Sequence, residues 1–294
     1  MNKVLRPLSF ALLCGFSVIL WFRPLLDTFR LARGDERYTH ILLILPVTVA
    51  LIFQVWQERE FKSQRWTPAI GLLVISLVIA GCARWANLSG RYELGLALAI
   101  VALVVWWVGS FVLCFGLATL RLFRFPLFFL LWMVPIPSIV LDRIVTVLQK
   151  GSTLSAQGLF SMFMVPVVRE GTILHIPGLG LEVAPECSSI RSSLMLLVTT
   201  MVLAHVFLRT PWRKALVVLI ALPLSVAKNG LRIFSIGMLT TRVDPSFLTG
   251  RLHRNGGIIF FLIALGVIFV ALWWLRRSES AATTAPPQLR PARS

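Results

Sequence analysis

Three residues of reactive type stand in segments whose context favours chemistry: Cys187 in APECSSIRSS, Arg232 in KNGLRIF and His253 in GRLHRNGG. A thiol, a guanidinium and an imidazole supply a nucleophile, an oxyanion or carboxylate clamp, and a general base and acid. Together they would support acyl transfer through a thioester. Cys187 opens a long apolar run, and Pro185 suits the first turn of a helix there. A helix N-terminus lowers the pKa of a thiol. Arg191, one turn along the same face, pushes further toward thiolate. The same residues also fit an inert cysteine in a helix cap. Arg232 follows Lys228 and Asn229 by one turn. Charged side chains at membrane depth are costly and are functional candidates by default, although an arginine snorkelling to the headgroups fits the position too. His253, taken alone, is as readily a polar loop residue as an acid or base.

The elements that must position these groups follow from composition. The 294 residues are 57% hydrophobic and 14% charged, against about 25% charged in a soluble domain. The charges cluster between apolar runs long enough to cross a bilayer. The expected fold is therefore an all-α polytopic membrane protein. The net charge of +17 comes largely from arginines that flank apolar segments, where they anchor helix ends and meet anionic lipid. That distribution points to the lipid bilayer as a partner and away from nucleic acid.

About eight crossings are expected, at 8–26, 40–56, 68–87, 94–114, 118–136, 188–208, 214–238 and 256–275. The first has a basic lead but no small-x-small cleavage site, so it reads as a retained helix. Pro24, Pro46, Pro126 and Pro223 are expected to kink or bound these helices, which neighbouring helices tolerate. Dense Lys/Arg clusters at alternate helix ends put the N-terminus inside. Crossing six runs inward, seven returns, and the next loop leads to eight. Whichever way the chain is inserted, Cys187, Arg232 and His253 fall on one membrane face. Arg232 stands seventeen residues after Ala215, about 26 Å up a core roughly 30 Å thick, and so near the outer surface.

The longest stretch outside the crossings is 137–187. Its first part places Ile139, Ile144, Val145, Leu148 and Leu154 near helical spacing, which predicts a helix lying in the membrane interface. Two β-rich arms follow, Thr172–Ile176 and Leu181–Ala184, around a Pro-Gly-Leu-Gly turn, which predicts a small hairpin. The hairpin delivers the chain to Cys187, and either holds an extended substrate by strand pairing or caps the bundle. Residues 1–275 read as one transmembrane domain and 276–294 as a disordered cytoplasmic tail. Cys14, Cys82 and Cys114 lie in apolar runs as small hydrophobes. No HExxH or CxxC spacing suggests a metal, and no Walker or Rossmann loop suggests a nucleotide cofactor.

Several segments together resemble the exosortase/archaeosortase family: RYTHILLILP, MVPIPSIVLDRIVTVLQ, EGTILHIPGLGLEVAPECSSIRSSL, NGLRIFSIG and HRNGGIIFF. The resemblance runs from about Tyr38 to Phe261, and its order and spacing make it specific. It implies a thiol protease and transpeptidase of the cell inner membrane, multi-pass, with its active site on the extracytoplasmic face. Its partners would be exported proteins ending in a Pro-Glu-Pro-like motif, a membrane helix and a basic cluster. The new carboxyl end would pass to an acceptor, often alongside exopolysaccharide machinery. By residue, Cys187 would be the nucleophile, Arg232 the stabilising arginine and His253 the acid/base. Arg191 and Asn229 are the expected substrate-binding residues, with His40 structural or motif-binding at the same rim. The family usually has Ser-Gly-Ile/Leu-Arg after the cysteine; here Ser189 stands where a glycine is common, and Glu186 precedes Cys187. A carboxylate beside a thiol opposes ionisation, so Glu186 is expected to face a basic group. The rival readings are a transporter or flippase, which would use Lys228 and Arg232 but usually shows midplane charges and inverted repeats, and a non-catalytic scaffold of a polysaccharide system.

Overall fold

The computed structural model describes residues 5–56, 67–183, 190–248 and 251–284, the side chains of 248, 251–256 and 280–284 aside. Its described part is helical with one small sheet, and six helices are long and apolar enough to cross a membrane, or up to eight if each of two bent pairs is one span. The chain forms two compact units that divide after Asp142.

The first unit holds α1 (Leu5–Leu20), α2 (Phe22–Gly34), α3 (Ile41–Trp56), α4 (Thr67–Leu88), α5 (Tyr92–Phe115) and α6 (Leu117–Phe129), and the first turn of α7 (Ser138–Met162). Helix α5 is its centre, with small and apolar residues buried all round from Gly95 to Phe115. A helix that is apolar on every side belongs in a core or a bilayer. Aromatic edges lock α1, α3 and α6 onto it: Phe10, Trp56 and Phe123 each meet Phe111 or Phe115. Two serines are satisfied inside the apolar interior, Ser76 Oγ donating to the Ala102 carbonyl at 2.6 Å and Trp107 Nε1 donating to Ser17 Oγ at 2.8 Å. Such groups have no water to turn to in a membrane.

Two expected crossings differ from the structure. The first is not one helix over 8–26: α1 and α2 meet at a bend of 76° around Trp21. Pro24 lies in the first turn of α2, where its missing N–H costs nothing. Helix α2 is amphipathic, with Arg23, Asp27, Arg30 and Arg33 between buried Leu25, Thr28 and Ala32, as suits an interfacial helix. The fifth crossing likewise ends in a bend of 96° between Leu117–Met133 and α7. The α7 N-terminus is capped from afar, Ser138 N donating to Glu93 Oε2 at 2.7 Å. At the same end Tyr38 Oη donates to the Ile136 carbonyl at 2.7 Å, and Arg37 bridges Asp35 and Asp142. The Arg37 hydrogen bond holds the Asp35 carboxyl below its ordinary range.

The second unit runs from Arg143 and contains most of α7, a sheet, α8 (Ile190–Phe207), α9 (Pro211–Arg242) and α10 (Arg251–Thr284). Helices α8 and α9 form an antiparallel hairpin through the short connection 208–210. Leu196, Val217, Ala221 and Ile268 form their shared core with α10. The α8–α9 connection is tied by Glu279, whose carboxylate accepts from Arg209 N at 3.0 Å and Thr210 N at 2.9 Å. Those are free N–H groups at the start of α9. Helix α10 continues to Thr284, past residue 276 where the sequence reading begins its tail.

Helix α7 forms over the segment expected to be an interfacial helix. Leu141, Val145, Ala156 and Phe160 are buried, whereas Ile139 is 78% and Leu154 53% exposed. The buried face also includes Ser152 and Thr153, so apolar spacing alone pointed to part of it. The expected hairpin is a three-stranded antiparallel sheet, β1 (Val168–Glu170), β2 (Ile173–Ile176) and β3 (Leu179–Glu182), in the order β1-β2-β3. Leu179 and Gly180 belong to β3 rather than to the turn, pairing with Ile176 and His175. The strand that the sequence reading missed, β1, is reached by a reversal at Gly171, whose φ of 62° favours glycine.

Candidate active site

In the second unit, the described segments that lead to Cys187 and His253, namely β3, α8 and α10, pack on α9. Two glycines let α7 and β3 approach it closely. A Cβ on Gly230 would stand 3.0 Å from the Ala156 backbone nitrogen of α7, and one on Gly237 would stand 2.7 Å from Leu181 Cδ1 and 2.8 Å from Phe160 Cζ. Small residues let a backbone approach a helix closely. They recur here at a spacing of seven, two turns, on one face of α9. Around them Ala156, Phe160, Leu174, Ile176, Leu181, Val183 and Ile233 form one buried cluster. Gln149 of α7 donates to the Val183 carbonyl, the last described group before residue 184.

On the other side of the site, Lys228 Nζ of α9 donates to Ser192 Oγ in the first described turn of α8. Lys228 is 6% exposed and Asn229 is fully buried. Because α8 and α9 are antiparallel, this contact sets the level of one helix against the other. Arg232, half-buried on α9, stands one turn further on, beyond the level of Ile190. It therefore lies along the helix axis between two anchors: the Lys228 contact to α8, four residues before it, and the Gly237 contact to β3, five residues after it.

Cys187, with Glu186 and Ser189, lies outside the described residues. The described chain on either side of it, β3 with Val183 and then α8, is held on α9 at those two anchors. Arg191 is exposed in the first turn of α8 and borders Ser192. His253 is in the first turn of α10, its side chain outside the described part. The sequence reading placed it in a loop before a crossing at 256. The helix instead begins at Arg251, ahead of the expected crossing. Apolar composition marks where the membrane starts, not where hydrogen bonding starts. In the same way α9 runs to Arg242, so about 15 Å of helix lies beyond Arg232. Arg232 is thus well inside its helix instead of near its end.

His40 belongs to the first unit. It is 3% exposed, packs edge-on against Trp132 at 6.4 Å, and its Nδ1 has no hydrogen-bond partner among the described residues. Among the described residues no three His, Cys, Asp or Glu side chains come together as a metal site would need. Sequence reasoning missed Ser192 and the two glycines. The 230/237 spacing was the available signal for the glycines. Nothing local marked Ser192, since its role depends on the rotation of α8.

With this geometry stands one comparison. The family model described as transmembrane exosortase matches residues 21–270 of the chain. No curated protein and no solved structure matches it.

Proposed function

The chain belongs to the transmembrane exosortase family, and from that premise we propose that it is a membrane-embedded cysteine transpeptidase with Cys187 as nucleophile. Its substrates are exported proteins that end in a short sorting motif, a membrane helix and a basic cluster. In the reaction, the Cys187 sulfur attacks the scissile carbonyl and its proton passes to His253. Arg232 stabilises the tetrahedral oxyanion. His253 then protonates the leaving amine, and a thioester remains on Cys187. An acceptor amine or water attacks it, restores the thiol and releases the sorted protein. Arg191, exposed in the first turn of α8, meets the motif, buried Asn229 supports that surface from within α9, and His40 keeps a structural role inside the first unit. The site faces the extracytoplasmic side of the inner membrane, where exopolysaccharide machinery is a fitting neighbour.

The observation that carries this reading is the pair of anchors on α9. Chain entering and leaving the Cys187 segment is fixed on the helix that bears Arg232, at levels on either side of it. A catalytic cysteine needs such restraint, because reacting groups must be held within a fraction of an ångström. The test is mass spectrometry of the purified protein mixed with a peptide carrying a candidate sorting motif, wild type against Cys187→Ala. The expected result is a covalent adduct on Cys187 whose mass gives the cleaved bond, absent in the variant. Full processing by Cys187→Ala would overturn the mechanism.

A further inference from the structure

Within the first unit, α2 has two working faces. One buries Leu25, Thr28 and Ala32. The other, Arg23, Asp27 and Leu31 at successive four-residue steps, lines a cleft of about 690 Å³ against the α4–α5 hairpin. From α5 the cleft takes Glu93, Leu96 and Ala99. Polar and apolar groups are sorted by depth here. Arg23, Asp27 and Glu93 are exposed, Leu31 and Leu96 are half-buried, and Ala99 is buried. The spans α4 and α5 meet at residues 89–91, so this end of the pair lies at a membrane surface. Leu96 and Ala99 follow Glu93 into the span by about 4.5 and 9 Å. A charged mouth over an apolar floor that deepens along a membrane helix suits an amphiphile with its head at the surface. The volume is in the range of small-molecule sites, about 300–1,000 Å³.

The charges at the mouth select the head. Arg23 offers a planar guanidinium, which suits a phosphate. Asp27 and Glu93 offer two carboxylates. Each has a partner already, Asp27 facing Arg30 at 3.6 Å and Glu93 Oε2 accepting from Ser138 N at 2.7 Å. A carboxylate has about four acceptor positions on its two oxygens, so both can take a further donor. A head with one phosphate and one primary ammonium satisfies both signs. A purely anionic head would meet two carboxylates of its own sign, and a quaternary ammonium has no N–H to donate. We propose that this cleft binds a phospholipid with a phosphoethanolamine head. The phosphate lies on Arg23, the ammonium donates to Asp27 and Glu93, and the acyl chains run over Leu31, Leu96 and Ala99.

The test is native mass spectrometry of the full chain in detergent, titrated with phosphatidylethanolamine, phosphatidylcholine or phosphatidylglycerol of matched acyl chains. The ethanolamine lipid is expected to bind about three- to tenfold more tightly than either of the others. A double variant, Asp27→Asn with Glu93→Gln, is expected to lose that preference; Glu93→Gln keeps an oxygen to accept from Ser138 N. Leu96→Trp fills the floor and leaves the partners of the head in place, and is expected to weaken all three lipids alike. Equal binding of the three lipids to the wild-type protein, or tighter binding of the glycerol lipid, overturns the proposal. So does an ethanolamine preference that survives in the folded double variant, or lipid binding untouched by Leu96→Trp. If the double variant does not fold, Asp27→Asn alone, on an exposed position of α2, is expected to lose part of the preference, and an unchanged preference overturns the proposal.

Discussion

Arg232 is a guanidinium on a helix that is otherwise apolar over most of its length, and its planar fork can hold an oxyanion with two donors where an ammonium offers a point charge. Arg232→Lys is therefore not conservative. Turnover of a sorting peptide is expected to fall by about 10²–10³, with the protein still folded and in the membrane. Peptide cleavage assays beside thermal unfolding in detergent check this, and unchanged turnover would remove Arg232 from the chemistry. The residue types at this site were readable from the sequence, because Cys187, Arg232 and His253 each sit beside a long apolar run. Burial was not readable. The sequence placed Lys228 and Asn229 one turn deeper than Arg232 in their crossing but did not say which neighbours cover them. Only the further extent of α9 to Arg242 puts them deep in a helix and leaves them almost without exposure.

At the scale of elements, α9 is the spine of the second unit. It receives α8 through Lys228, α7 through Gly230 and the sheet through Gly237. Gly237→Val puts a branched side chain where Leu181 and Phe160 already lie within 3 Å of the new Cβ. Overpacking of this kind costs about 1–3 kcal/mol. The expected result is a lower unfolding temperature, partly restored by Leu181→Ala in the same chain, since the two changes meet in one contact. A Gly237→Val protein as stable as wild type would show that the sheet does not depend on this approach. The sheet also shows the limit of local reading. Two of its strands were evident from their β-branched and apolar residues. The strand β1 was not, because Val168–Glu170 is fully exposed and is a strand only through its pairing with β2.

At the scale of the molecule, the sequence reading puts the N-terminus inside, an expectation under which the sheet would be outside and the α8–α9 connection inside. A membrane-impermeant maleimide is expected to label Arg169→Cys in intact cells with an opened outer barrier, and Arg209→Cys only after the bilayer is permeabilised. The native cysteines are replaced by serine in both chains to keep the signal clean. The reverse pattern would invert the protein and move the site to the cytoplasmic side. The α8–α9 connection has its own fastening, since Glu279 of α10 holds the start of α9 while Arg213 Nη1 donates to the Leu275 carbonyl at 2.8 Å.

The amino-acid sequence by itself determined the class of the protein and the rough number of its crossings, and it leads to the expectation that Cys187, Arg232 and His253 share one face. Those follow from apolar run length and from parity, and both are properties of the linear chain. The tertiary structure alone decided which side chains of α7, α8 and the sheet meet α9, and at which level. It also decided that two crossings break at bends of 76° and 96°. The physical reason is that a membrane helix is apolar toward lipid and toward protein alike, so its sequence carries little record of rotation and register. Those are set by the fit of glycines, serines and one buried lysine against their partners.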